Sequence, residues 1–267
     1  MNKARKNTLL KIIIHSFVIC LFVICNLSFA QAKDYDGIWF MAINQKSEML
    51  KDVRVREAID QSIDKKHIAE KIVSSEVVPS GYIAPKMLGY DADLVPRDRD
   101  IGYAKLLMKG SGYPINDKRL KDLSLLHTDG IMTVEIAKKI QADLRNIGMK
   151  VELVEVSYAD EDKWIKELSS GKHDFYLMGY KAGIEELFTT EEATGSYDSY
   201  SLIAPLFKTD GEVNFSHYSN AQVDKLLGQL ESINIALKSD RNAKLKEINR
   251  ILYKDVPAVV LFYIEKL

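Results

Sequence analysis

The sequence predicts an α/β fold, a sheet flanked by helices. Three observations carry that prediction. Residues 121–156 read strand, helix, strand: a short run through Leu123, Leu125 and Leu126, an amphipathic stretch over 133–147, then an alternating stretch over 149–156. That order is a βαβ unit, whose crossover is right-handed and whose strands lie parallel. Residues 37–44 are apolar on both faces, as a strand covered on both sides requires. A second such run, 255–263, closes the chain.

Ahead of the first strand lies an export segment. Residues 1–11 carry Lys3, Arg5, Lys6 and Lys11 and no acid, and residues 12–32 carry no charge. Ala30-Gln31-Ala32 then offers the small-x-small pattern that a signal peptidase cuts. The segment reads as a signal peptide over 1–32, with an uncleaved anchor as the alternative because the apolar run approaches the ~18–20 residues of a membrane span. A lipoprotein is disfavoured, since Ile19 and Ile24 rather than small residues precede Cys20 and Cys25. Both cysteines fall inside this segment, so a chain from Lys33 has no disulfide, thiol nucleophile or Cys-ligated metal. Cleavage also leaves 33 bases against 38 acids, a formal balance of −5 that argues against nucleic acid as a partner.

In the mature region Asp52 caps a helix with Val53, Val55, Ala58, Ile59 and Ile63 along one stripe. Asp64 caps a second, carrying Ile68, Ala69 and Ile72. Residues 74–100, with Pro79, Gly81, Pro85, Gly89 and Pro96, predict an irregular surface stretch. A helix over 100–113 ends in glycine. After the βαβ unit come a helix over 160–169 stopped by Gly171 and a strand over 174–180. Another helix starts near 183–188, and 190–212 reads as a mobile, Tyr-rich loop. Ser219 or Asn220 caps the next helix, and 241–253 forms the last before the closing strand. Trp39 and Trp164 sit at core spacings.

Several of these stretches have a specific wording. Asp52-Val-Arg-Val-Arg-Glu-Ala-Ile, with Ser62-Ile-Asp-Lys following, comes first. Ala104, Leu106, Leu107 and Ser111-Gly-Tyr come next, then Ile140-Gln-Ala-Asp-Leu-Arg-Asn-Ile-Gly-Met-Lys-Val-Glu-Leu. Asp174-Phe-Tyr-Leu-Met-Gly-Tyr, Tyr218-Ser-Asn-Ala-Gln-Val-Asp and Asp255-Val-Pro complete the set. In this order the six resemble the signature of peptide/nickel-type extracytoplasmic solute-binding proteins, which feed ABC importers. The resemblance implies one periplasmic-binding-protein-like lobe of type II over 33–267, with a mixed, mostly parallel sheet flanked by helices, corresponding to the family's C-terminal lobe alone. It implies a periplasmic, non-enzymatic component that binds a small solute or short peptide, with a partner lobe or ABC permease and no cofactor. Contact with the membrane would come only through the export segment.

Ligands of open α/β sheets bind beyond the carboxyl ends of strands. That rule points to the loops after Asn44, after Tyr180 and around Asn214, and to Lys181, Glu185, Glu186 and Tyr200 as ligand-binding candidates; Tyr197 and Tyr200 could stack on a ligand. In the peptide-binding relatives an aspartate after the strand 174–180 pairs with the ligand's α-ammonium; here that position is Gly183, with Glu185 or Glu186 nearby as substitutes or as solvated first-turn acids. His67, His127, His173 and His217 lack metal-site spacing. No G-x-S-x-G elbow, P-loop or G-x-G-x-x-G is present. Two alternatives stand beside solute binding: a repurposed lobe serving as a protein-interaction or sensory module, and, more remotely, a secreted hydrolase. Amino-terminal sequencing of the exported protein should begin at Lys33; a start at Met1 would establish an anchor instead.

Overall fold

The computed structural model describes residues 33–183, 198–234 and 236–266. The export segment, the helix expected at 183–188 beyond its first residue, Tyr197, Glu185 and Glu186 lie outside them. Asp34–Leu267 forms one compact unit.

Five strands form one sheet among the described residues: β1 (Tyr35–Ile43), β2 (Leu123–Thr128), β3 (Val151–Val156), β4 (Phe175–Lys181) and β5 (Ala258–Glu265), in the order β3-β2-β4-β1-β5. β2 pairs parallel with β3 and β4, while β1 runs antiparallel to both β4 and β5. Four strands therefore share one direction and β1 opposes them, which gives the mixed, mostly parallel sheet that the family resemblance implies.

Side chains of β1 alternate between two cores, as the two-residue period of a strand demands. Ile38, Phe40 and Ala42 face one, with Tyr176, Leu126 and Val260. Met41 and Ile43 face the other, with Leu125, Phe175, Leu177 and Leu261. The first core is covered by helices α5 (Tyr200–Phe207), α6 (Ala221–Ser232) and α7 (Lys238–Asp255). The second is covered by α1 (Val53–Ser62), α2 (Ile101–Gly110) and α3 (Ile131–Leu144). Helix α4 (Glu161–Ser170) contributes Leu168 to the first core, and the helical stretch after α1, Lys65–His67 continued by Ile68–Val73, adds Ile68 to the second.

The predicted caps form. Asp52, Asp64 and Asn220 accept bonds from the first-turn amides of their helices, and Asp100, not singled out in the sequence, does the same for α2. Gly148, at φ +92, ends the turn after α3, and a Cβ there would lie 2.4 Å from the Ile115 carbonyl oxygen. A side chain is thus excluded on both conformational and steric grounds.

Four expectations need correction. Val53 is exposed, because the stripe that faces the core is Val55, Ala58 and Ile59. The stretch 74–100 is irregular but dips inward: Tyr82, Ile83 and Ala84 are buried, and the Tyr82 hydroxyl donates to the Ala258 carbonyl at 2.6 Å. The loop expected over 190–212 contains α5, whose Leu202, Ile203, Leu206 and Phe207 are buried; an apolar segment of only two turns shows too little periodicity to stand out. Helix α3 begins at Ile131, two residues before its expected start, on Gly130 as N-cap.

One side chain joins distant parts of the chain. Arg56, buried on α1, donates to four carbonyls: Leu50 (2.9 Å) and Lys51 (2.7 Å) before its own helix, and Asp255 (2.8 Å) and Val256 (3.1 Å) at the end of α7. Val256 stands at φ +48, an unfavourable region for a β-branched residue, and its carbonyl is held there by this guanidinium. Replacing Arg56 leaves buried carbonyls unpaired. Arg56→Ala should lower the unfolding free energy by about 3–5 kcal/mol in urea titration, and Arg56→Lys should recover only part of it because a point charge lacks the planar fork.

Candidate functional site

The carboxyl ends of β2, β3 and β4 open onto a cleft of about 560 Å³. Its floor is Trp39 of β1, opposite Gly179 of β4. A Cβ on Gly179 would lie 2.4 Å from Trp39 Cε3, so the indole rests against a bare α-carbon. On its other neighbour the indole stacks with Phe262, centroids 5.7 Å apart at 8°. One wall is the start of α3, where Ile131 and Met132 lie beside the N-cap Gly130. The facing wall is the turn between β3 and α4, with Tyr158, and α4 itself, with Glu161 and Trp164.

Local bonding sets the shape of that turn. Asp129, just after β2, accepts from the Tyr158 amide (2.8 Å) and the Ser157 hydroxyl (2.8 Å). The amide bond above all, then the Ser157 hydroxyl, holds the Asp129 carboxyl below its usual pKa. Asp160 caps α4 through the Lys163 amide. The β2 and β3 ends are thereby tied together, with the Tyr158 ring left 82% exposed. Ile131 is 90% exposed. Two large apolar side chains so placed contribute little to the core, and each could gain about 1.5–3 kcal/mol by being covered.

The sequence-derived candidates divide between two ends of the sheet. Because β1 is antiparallel to β4, Ile43 pairs with Phe175 and Gly37 with Lys181. Asn44 therefore lies at the amino end of β4, roughly 20 Å from Lys181 along the strand. The loops after Asn44 and Tyr180 each follow the carboxyl end of a strand, but that reversal puts them at opposite ends of the sheet. Asn44, 3% exposed, donates to the carbonyls of Gly171 (2.9 Å) and His173 (2.8 Å) and accepts from the Lys46 amide (3.0 Å). Asn214 is likewise buried in its own turn, donating to the Lys208 (2.9 Å) and Tyr218 (2.8 Å) carbonyls. The Gln45 amide donates to the Ser216 carbonyl, so Asn44 and Asn214 belong to the same end.

Tyr180 and Lys181 end β4, immediately beyond Gly179 and hence beside the cleft. Tyr180 is buried, and Lys181 pairs with Asp36 at 3.1 Å. Gly183 follows at φ +72. Tyr200 starts α5 and donates its hydroxyl to Glu231 at 2.9 Å; burial first, and then that bond, push its pKa up to about 12.

Trp39 and Trp164 pack, half-buried, against the second and first cores, in keeping with their core spacing, and in addition line the cleft, which the spacing did not suggest. Ile131, Met132 and Tyr158 escaped sequence reasoning altogether. The one available signal was an apolar pair, Ile131-Met132, just ahead of the amphipathic run, where a helix's first turn is ordinarily polar.

Near the Asn44 end, the His173 ring lies 3.2 Å from Ser124 Oγ through Nδ1 and 2.9 Å from Glu167 through Nε2. Lys172 and His173 pull the Glu167 carboxyl down to about 2. Ser124 sits within regular β2, and its amide is engaged by Asp174 at 2.9 Å. This trio pins β4 to α4. Among the described residues no group of three or more His, Cys, Asp or Glu is arranged to hold a metal, and no helix is long and apolar enough to cross a membrane.

The sequence model of the bacterial extracellular solute-binding proteins, family 5 (middle), matches residues 21–189. The chain belongs to that family. Two curated relatives are similar to it. Di/tripeptide-binding protein 2 of Pseudomonas aeruginosa is 26% identical over 81% of this chain and 38% of its own length. Heme-binding protein A of Haemophilus influenzae is 24% identical over 83% of this chain and 38% of its own length. Among solved structures, the oligopeptide-binding protein AppA of Bacillus subtilis, in complex with a nonapeptide, superposes with a TM-score of 0.71 at 19% identity, over 88% of this chain and 46% of that one. This family-5 chain thus spans about two-fifths of the length of the curated relatives it matches.

Asn44→Ala should cost about 2–4 kcal/mol of stability in urea unfolding, since it strips partners from the buried 171–173 turn. Solute affinity should be unchanged in the folded fraction; a stable variant with impaired binding would move Asn44 into the site.

Proposed function

We propose that this chain is an exported, non-enzymatic solute-binding lobe of the peptide/nickel type, serving ABC import from the periplasm. The observation that carries the reading is the open, apolar-rimmed cleft at the carboxyl ends of three strands, in a chain that belongs to a solute-binding family. Residues 1–32 act as the export signal and 33–267 as one lobe. The cleft supplies one wall of the site, and a second lobe, from another chain or from a longer form of this one, supplies the other. Tyr180, Lys181, Glu185, Glu186 and Tyr200, which follow the cleft residues of β4 in the sequence, would contact the second lobe or the part of a solute that lies outside the cleft. Asn44 and Asn214 set the opposite end of the sheet.

The relatives are named for chemically different solutes, peptides and heme among them, so membership of the family leaves the ligand class open. A thermal-shift screen with short peptides, ring compounds and metal ions tests the reading. At about 100 times Kd a ligand adds about 2.7 kcal/mol, which raises Tm by about 5–10 °C in a domain of this size. The shift should fall by about a third or more in Tyr158→Ala or Ile131→Ser. No saturable shift with any solute, with or without a co-expressed amino-terminal lobe of the family, would overturn it.

A further inference from the structure

The cleft's own chemistry narrows its solute, on the reading that it is the binding site. Its floor is a flat indole, braced by Phe262 behind and by the bare α-carbon of Gly179. The Trp39 Nε1 atom is sealed from solvent and has no hydrogen-bond partner, so the floor presents ring carbon. The walls add Ile131, Met132, Tyr158 and Trp164, and Glu161 is the sole charged residue of the lining among the described residues. Among those residues no Lys, Arg or His faces the space. A zwitterion held here would surrender water from its carboxylate to a wall with no cation, which is unfavourable. An uncharged planar body loses no such hydration and gains both apolar burial and stacking. The volume, about 560 Å³, accommodates fused rings.

We propose that this cleft takes its solute by an uncharged, ring-containing apolar body, not by the charged ends of a peptide. Titration calorimetry with 2-naphthol and with tri-alanine tests this on the purified protein. The naphthol should bind, and tri-alanine should neither bind nor compete. Tyr158→Ala and Ile131→Ser, both at exposed positions where folding is not at stake, should each weaken the naphthol by about fivefold or more. Leu106→Ser, at an equally exposed apolar position on α2, should leave it unchanged. Equal naphthol affinity in the cleft variants would place the probe elsewhere and overturn the proposal. Binding of tri-alanine that the cleft variants abolish would overturn the ring-body assignment while leaving solute binding intact. Silence from both probes would overturn the ring-body assignment alone, provided that the thermal-shift screen finds another solute; if it finds none, both readings fail.

Discussion

β1 lies between β4 and β5 and runs against both, and the arrangement of the lobe depends on that reversal. The strand is covered on both faces, so from Ile38 to Ile43 its residues alternate between the two cores, and an irregularity between Tyr35 and Gly37 turns Tyr35 onto the first. Its direction decides which loops meet. Residues that come after β1 share an end with those that precede β4, while the first residues of β1 share an end with the carboxyl termini of β2, β3 and β4. Trp39, midway along its strand and opposite Gly179, reaches the cleft for this reason. The same geometry brings Tyr35 beside Glu265 and lets the Lys266 amide donate to the Asp34 carbonyl.

Polar side chains with several partners hold the layers around that sheet. Arg56 couples the lead-in of α1 to the end of α7. Asp255, in that same end, accepts from the Tyr218 hydroxyl (2.6 Å) and the Asn220 amide (2.8 Å), which adds the start of α6 to the junction. Asp60, buried, pairs with Lys65 at 2.7 Å and Arg97 at 3.3 Å, drawing the irregular stretch after α1 onto the core. Each of these groups would be costly to leave unpaired, and each is satisfied by partners far apart in sequence. The wording around Asp52 and Arg56 that carries the family resemblance is, in physical terms, a cap and a four-carbonyl clamp.

How much of this was legible in the sequence depends on the range of the interaction concerned. Caps are local, so Asp52, Asp64 and Asn220 could be read directly. The βαβ unit could be read because its apolar period changes from two to 3.6 and back within one segment. Strand direction could not, because β1 pairs with strands more than 130 residues later, and nothing within residues 37–44 encodes which way they run. That gap misplaced Asn44 and hid the cleft role of Trp39. Tyr158 was hidden differently: an exposed aromatic in a turn is silent until Asp129 is seen to fix the turn beside α3.

The two tryptophans of the sequence, Trp39 and Trp164, both line the cleft. The indole emission of the whole protein therefore arises at one place. Its wavelength reports the polarity of that place without background from the rest of the fold, and two rings there will respond together when the surrounding water is displaced. The lobe carries a built-in optical gauge of occupancy, and no label has to be introduced to read it.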